Sequence, residues 1–405
     1  MFNIAYIGRS VLDYRVPVFA ALDELTGRRL FVFYSAEVTP PRVGRKIERL
    51  LGERSVGFRG EIRLGPKIIS NFTANSVVRI VYQPGLLSAI RRAAPDIIVG
   101  DGFFQWSGLA LLHRIFQRTP LVLCYERTFH TERNAQWFRT LYRKIVLRWV
   151  DAMACNGSMS AAYAQWLGMP AERITLGHMV ADTPGLQKAV EAISVEDRQV
   201  LRRRWLNPEL VFLVVARLVE QKGVSQLLTA WTQSERIWGG KAVLVIVGDG
   251  PERERLLSQA RVAGLKSVYF EGGVDYDQIA AYYAAADAFV IPTLEDNWSL
   301  VVPEAMACGL PILCSKYNGC WPELVQKGNG WVFDPLNPES TLQVLKSCVE
   351  SASTLPQMGL KSQAIIAEHT PRHAARSIFE ACKIALGGHK GSFPTAKGLR
   401  NPIMC

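Results

Sequence analysis

Two α/β domains in tandem, each a doubly wound parallel sheet covered by helices on both faces, are what this sequence predicts. Three observations carry that expectation. Short apolar runs alternate with helix-length segments along most of the chain, the pattern of strands buried on both faces. The 405 residues suffice for two hydrophobic cores. The apolar runs repeatedly end in glycine or charge, and open parallel sheets bind their ligands at that carboxyl edge.

In the first half, Phe2–Ile7 and Leu30–Tyr34 read as strands, with a helix containing Tyr14 to Phe19 between them. From Thr39 to Lys67 the chain is polar and arginine-rich (Arg42, Arg45, Lys46, Arg49, Arg54, Arg59, Arg63), and an exposed loop or basic flap is expected. A helix over Gly85–Ala94 leads to strand Asp96–Val99, and a helix over Ser107–Phe116 leads to strand Leu121–Cys124. Gln136–Asp151 has a strongly amphipathic helical period, with Arg139, Arg143, Lys144 and Arg148 among Trp137, Phe138, Leu141, Tyr142, Ile145 and Trp149. Its apolar face is expected to pack on the sheet, with membrane contact as an addition. Strand Ala152–Cys155, a helix ending at Gly168 and strand Arg173–Leu176 complete this domain. Weak periodicity over His178–Arg198 marks the linker. The second series runs through strands Leu210–Ala216, Ala242–Val247, Val268–Phe270 and Ala288–Pro292, with helices over Val224–Glu235, Glu252–Ala263 and Asp277–Ala284 between them. The expected domains are residues 1–182 and 183–386, followed by a disordered tail over 387–405.

A hydrophobic content of 49% and a charged content of 20% exclude a disordered chain. No apolar run approaches the length of a membrane span, and Met1–Ile7 enters a strand without a basic leader, so a cytoplasmic protein is expected. Eight cysteines without C-x-x-C spacing fit buried free thiols rather than metal ligands. The net charge of +11 lies wholly in the first half: residues 1–190 hold 25 Lys and Arg against 14 Asp and Glu, and the remainder balance. The basic half therefore expects an anionic partner or surface, and no nucleic acid is expected.

The chemistry concentrates at four successive strand ends in the second half. Arg217 and Lys222-Gly223 bracket a strand-to-helix turn, a planar fork and a mobile point charge suited to clamping a pyrophosphate. Gly248-Asp249-Gly250-Pro251 and Gly272-Gly273 end the next two strands. After the fourth, Asp296 and Glu304 straddle a loop-to-helix junction, a place to hold a phosphorylated, hydroxyl-rich ligand.

The series V-A-R-L-V-E-Q-K-G, V-G-D-G-P-E, F-E-G-G-V and D-N-W-S-L-V-V-P-E-A-M-A-C-G-L-P-I closely resembles the retaining nucleotide-sugar glycosyltransferases of family four, strongly over Val211–Asp334 and more weakly over residues 1–180. The resemblance implies the GT-B fold, two Rossmann-like domains facing a central cleft. It implies that Arg217 and Lys222 hold the donor diphosphate, that Glu304 bonds the ribose hydroxyls and that Asp296 faces the donor sugar. The backbone around Trp298, Ser299, Leu300 and Val301 would supply N–H groups, while Gly248, Gly250 and Gly273 line the nucleotide. Gly8, Tyr14, Arg15, Glu126 and His130 are the acceptor-side candidates. The sequence departs from the family pattern in three places. Asp296 stands where glutamate is usual, leaving Glu295 as an alternative sugar contact. Ser299 stands where glycine is usual and is a candidate helix cap. Gly8-Arg9-Ser10 is a reduced glycine loop, and Glu126 stands where many members have histidine, with His130 four residues on.

The expected activity is therefore metal-independent retaining transfer of a hexose-type sugar from a UDP- or GDP-sugar, with no D-x-D motif and no required cofactor. The acceptor is a glycan or lipid-linked molecule in polysaccharide or glycolipid assembly, reached at the cytoplasmic face of an anionic membrane. A nucleotide-sugar epimerase of the same fold and a non-catalytic sugar-nucleotide-binding protein are the alternatives.

Overall fold

A computed structural model of the protein describes residues 1–64, 80–238 and 240–387. In chain order the strands are β1 (Ile4–Gly8), β2 (Leu30–Ser35), β3 (Ser55–Phe58), β4 (Ile62–Leu64), β5 (Ile80–Tyr82), β6 (Ile97–Asp101), β7 (Leu121–Tyr125), β8 (Ala152–Cys155) and β9 (Ile174–Leu176) in the first half. In the second half they are β10 (Leu210–Val215), β11 (Ala242–Val247), β12 (Val268–Gly272), β13 (Ala288–Ile291), β14 (Ile312–Ser315) and β15 (Gly330–Phe333). Seven form one sheet in the order β3-β2-β1-β6-β7-β8-β9 and six form another in the order β12-β11-β10-β13-β14-β15; β4 and β5 pair by themselves, antiparallel. The paired strands of both larger sheets run parallel. Each is thus a doubly wound sheet whose order reverses beside its first strand, between β1 and β6 and between β10 and β13.

Both faces of the first sheet are dry. Ile4 and Tyr6 of β1 enter one core while Ala5 and Ile7 enter the other, the alternation that a two-residue period imposes. In the second sheet Phe212 and Val214 of β10 pack with Trp231 and Leu244.

The chain divides into one unit of Met1–Val180 with the stretch from Pro371 onward, and a second of Ala181–Thr370. The expected boundary near residue 182 lies close to the first crossing, but the last described helix, Pro371–Ala385, departs from the expected assignment. Its Ala374, Ala375, Ile378, Ala381 and Cys382 enter the core of the first sheet beside Val18 and Phe19. Apolar spacing predicts that such a helix has a buried face, not which sheet it covers.

Three further expectations change. The arginine-rich segment holds a helix, Pro41–Leu51, burying Val43, Ile47 and Leu51 at four-residue spacing, with proline at its start; the end of that segment lies outside the described residues. The linker region contains the helices Thr183–Glu191 and Val195–Arg204, the second capped by Ser194, whose hydroxyl accepts the Asp197 N–H at 3.0 Å. The helix Trp137–Val146 has the expected period and the opposite orientation: Arg139 and Arg143 are buried, and Trp137, Phe138, Leu141 and Ile145 are exposed. The seven described cysteines carry no disulfide. The expected tail, apart from Gly387, lies outside the described residues.

Candidate functional site

At the reversal of the second sheet, the loops leaving β10 and β13 are joined through Gln221. Its carbonyl accepts the Leu294 N–H at 2.8 Å and the Thr293 hydroxyl at 2.9 Å. This brings Lys222 to Asp296, with Nζ 2.5 Å from Oδ2. The Ser299 hydroxyl donates to the same oxygen at 2.5 Å, and the Trp298 N–H donates to Oδ1 at 3.1 Å. The aspartate is thus the hinge pin of its loop, folding back on the amide two residues ahead, a turn that a short carboxylate makes readily. That accounts for aspartate at the departure from the family pattern. Ser299 does not cap the following helix, Val301–Ala307, whose N-cap residue is Leu300 and which has no side-chain cap. The Ser299 N–H donates to Asn318 Oδ1 at 3.4 Å. With the Trp298 and Ser299 amides engaged inside the loop, the expected N–H contribution narrows to Leu300 and Val301.

Beside this knot, the ends of β10, β11 and β12 and the start of the helix Val301–Ala307 line an open cavity of about 400 Å³. Of the predicted residues, Arg217, Gly248, Gly273, Val301 and Glu304 line it; Asp249 and Ile279 join them. Arg217 is exposed. Gly248 has φ +140°, and a Cβ there would lie 1.8 Å from the Ala216 carbonyl oxygen, so the strand end closes only on glycine. A Cβ at Gly250 would lie 2.3 Å from the Leu218 carbonyl oxygen, whereas one at Gly273 would meet nothing nearer than 3.5 Å.

Glu304 sits in the first turn of its helix, and burial lifts its carboxyl from an ordinary 4.5 to about 7, partly offset by the Tyr283 hydroxyl, which donates to Oε2 at 3.2 Å. Near neutral pH it both donates and accepts, which suits a vicinal diol. A larger cavity, about 450 Å³, opens at the opposite edge of the sheet around Trp205, Lys266 and Tyr269 and holds none of the predicted residues. Tyr283, Asp249 and Gln221 were not predicted; Asp249 stood inside the Gly248–Gly250 turn, where its position was readable.

In the first unit, Gly8 ends β1, and a Cβ on it would lie 3.0 Å from Asp101 Oδ2. Arg15 is buried, its Nη1 donating to the His178 carbonyl at 3.0 Å, its Nη2 3.2 Å from His178 Nδ1 and 3.8 Å from Asp101 Oδ1. The Tyr6 hydroxyl donates to Asp101 Oδ1 at 2.6 Å. Burial, reinforced by the charge of Arg15, drives His178 well below its ordinary range, and burial raises Asp101 against the pull of Arg15. Tyr14 starts the helix after β1, and the charges of Asp101 and Glu126 add to the burial that raises its hydroxyl. Glu126 directly follows β7, with His130 in the turn beyond it. The structure therefore brings Gly8, Tyr14 and Arg15 to Asp101 at the end of β6, with Glu126 acting on Tyr14.

Residues 197–365 match the family described as Glycosyl transferases group 1, and residues 18–178 match the Glycosyl transferase 4-like domain. The chain belongs to the group 1 glycosyl transferases. It is 25% identical over 319 residues to the sulfoquinovosyl transferase SQD2 of Arabidopsis thaliana, a match covering 74% of this chain and 58% of that one. It is 36% identical over 147 residues to the GDP-mannose-dependent alpha-(1-6)-phosphatidylinositol monomannoside mannosyltransferase of Mycobacterium tuberculosis, covering 34% of this chain and 38% of the relative. The matches thus span less than two thirds of these relatives' lengths. Among solved structures, Anabaena Alr3699/HepE in complex with UDP and glucose superposes with a TM-score of 0.67 at 19% identity, covering 95% of this chain and all of that one. The two Rossmann-like sheets and this likeness give the GT-B fold.

Proposed function

We propose that this glycosyltransferase moves a hexose-type sugar, with retention, from a UDP- or GDP-sugar to a glycan or lipid-linked acceptor at the surface of an anionic membrane. The observation that carries the donor half is the cavity of about 400 Å³ that sets Arg217 and Glu304 on one strand-end platform with Gly248 and Gly273. Glu304 takes the ribose diol, the glycines let the backbone approach the nucleotide, and Arg217 meets the diphosphate. Asp296 holds Lys222 at the mouth of the same loops and meets the sugar from there, with Glu295 beside it. As the bond from the anomeric carbon to the phosphate oxygen breaks, its electron pair stays on the diphosphate. Arg217 and Lys222 answer that charge without a metal. The acceptor oxygen bonds the anomeric carbon on the face the diphosphate leaves, and its proton passes to a phosphate oxygen. Gly8, Tyr14, Arg15 and Glu126, with His130 beyond them, belong to the acceptor side in this reading.

Both donor bases have support: the mycobacterial relative is named for GDP-mannose, and the Anabaena structure carries UDP. The membrane half rests on the reversed helix Trp137–Val146, where Trp137 is 75% exposed and Arg143 2%. Outward Trp137, Phe138, Leu141 and Ile145 with Lys144 and Arg148 nearby suit an interfacial surface. No helix among the described residues is long and apolar enough to cross a membrane. Incubation with a panel of UDP- and GDP-sugars tests the reading. Slow release of one nucleoside diphosphate is expected; a new epimer without release would mean isomerisation instead, and no binding would remove catalysis altogether.

A further inference from the structure

Three neighbouring helices of the first unit, not one, turn apolar side chains outward. In its sheet β6, β7, β8 and β9 are consecutive neighbours, and the crossovers between them carry the helices Ser107–Gln117, Trp137–Val146 and Ser158–Leu167. Crossovers of one hand between successive neighbouring strands put their helices on the same face. The three share one core: Leu109 and Ala110 of the first, Val146 of the second and Ala161 and Leu167 of the third pack with Ile98, Leu123 and Met153.

The outer sides of these helices are apolar as well. On Ser107–Gln117, Leu109, Ala110 and His113 are buried while Leu112, Ile115 and Phe116 are exposed, Phe116 to 71%. The exposed three stand at spacings of three and four, one stripe of the helix. On Ser158–Leu167, Trp166 is exposed, and Lys144 Nζ of the neighbouring helix lies 4.4 Å from its ring centroid. Arg114 Nη2, 3.0 Å from Asp151 Oδ1, ties the first helix to the chain that follows the second. The outward Trp137, Phe138, Leu141 and Ile145 therefore have apolar neighbours on both sides.

Single exposed apolar residues are ordinary, but a contiguous patch marks a partner. The charge of the patch says which. From Ser107 to Leu167 no acidic side chain is exposed, whereas Arg118, Arg133, Lys144 and Arg148 are. In a symmetric contact with a second copy this face would meet its own sign of charge. An anionic lipid surface answers the cations and the apolar stripes together.

We infer that the outer faces of these three helices form one docking surface for an anionic lipid bilayer, in which Leu112, Ile115 and Phe116 are a second apolar anchor beside that of Trp137–Val146. The inference deepens the membrane half of the proposed function and rests on it. It also fixes an orientation. With the helix layer against the lipid, the sheet of the first unit lies parallel to the bilayer, about 10 Å or one helix diameter above it. Its carboxyl edge, with Gly8 and Asp101, then opens along the surface, where an acceptor carried on a headgroup arrives from the side.

The test is sedimentation of the full chain with sucrose-loaded vesicles, either of phosphatidylcholine alone or of phosphatidylcholine and phosphatidylglycerol in equal parts. The parent is expected to bind the anionic vesicles at low salt and the neutral ones at least about tenfold more weakly, since each cation at an anionic leaflet contributes about fivefold. Leu112→Glu with Phe116→Glu should weaken anionic binding roughly tenfold or more without lowering the melting temperature, both side chains facing solvent. Arg118→Gln with Arg148→Gln, which leaves the apolar stripes intact, should weaken it about tenfold or more. Leu206→Glu, exposed on the second unit, should bind as the parent does. Anionic binding unchanged in Leu112→Glu with Phe116→Glu would overturn the three-helix surface and leave Trp137–Val146 to its own test. Equal binding to both kinds of vesicle would overturn the anionic lipid. A dimer in vesicle-free solution that the glutamates dissociate would give the face to a second copy, and no binding by the parent would remove the membrane from both readings. The measurement needs neither donor nor turnover, so its failure leaves sugar transfer standing, and absent transfer leaves it readable.

Discussion

Glu304→Gln should make the ligand-free protein more stable above neutral pH while weakening its hold on nucleotide. The folded protein lifts this carboxyl from 4.5 to about 7 by burial, so between those pH values the folded chain keeps a proton that the unfolded chain has released. Stability therefore falls as pH rises through that window, and the whole penalty is present above pH about 7. The displacement corresponds to about 3.5 kcal/mol at most, at about 1.4 kcal/mol per pH unit. Solvent entering the cavity reduces this, and we expect about 1–3 kcal/mol. Glutamine cannot ionise and still accepts from the Tyr283 hydroxyl, so it removes the penalty without leaving a donor unpaired. Urea unfolding at pH about 4.5, 6 and 8 measures it, following the transition that nucleotide shifts, since a two-unit chain need not unfold in one step. The variant should match the parent at the lowest pH and exceed it at the highest. Parallel pH profiles for the two proteins would refute the placement of Glu304 in a desolvated cavity, and unchanged nucleotide affinity would refute its role.

Most of the framework was legible because strands buried on both faces are written as uninterrupted apolar runs. Leu210–Val215 and Ala242–Val247 needed no context to be read. The helix Pro41–Leu51 escaped because its exposed arginines and lysine masked a regular set of Val43, Ile47 and Leu51. The orientation of Trp137–Val146 escaped for a different reason. A period defines two faces, but which one turns inward depended on Glu132, which compensates Arg143 from a separate turn. Around the site, the strand-end residues Arg217, Gly248 and Gly273, and Glu304 at the loop-to-helix junction, were readable from position. The engagement of Asp296 with Lys222 was not, since 74 residues separate them and only the pairing of β10 with β13 brings their loops together.

Gly248→Ala should unfold or severely weaken the second unit, because the new methyl would overlap the Ala216 carbonyl, whereas Gly273→Ala, with 3.5 Å of clearance, should change the melting temperature little; equal effects would contradict the strand-end geometry. Asp296→Asn should free Lys222 and loosen the Trp298–Ser299 turn, lowering turnover more than nucleotide affinity. Asp296→Glu, too long for the same turn, should not restore it, and full activity in both would shift the role to Glu295. Trp137→Glu with Leu141→Glu should abolish flotation with anionic vesicles at low salt without lowering the melting temperature, since both side chains face solvent; retained flotation would remove this helix from the membrane account.

In the proposed reaction, Arg217 meets charge developing on a departing nucleoside diphosphate. The direct measurement is nucleoside diphosphate release from the preferred UDP- or GDP-sugar by the parent and by Arg217→Ala under saturating donor. Turnover is expected to fall roughly tenfold or more in the variant, about 1.4 kcal/mol of transition-state stabilisation. Turnover equal to the parent's would contradict it.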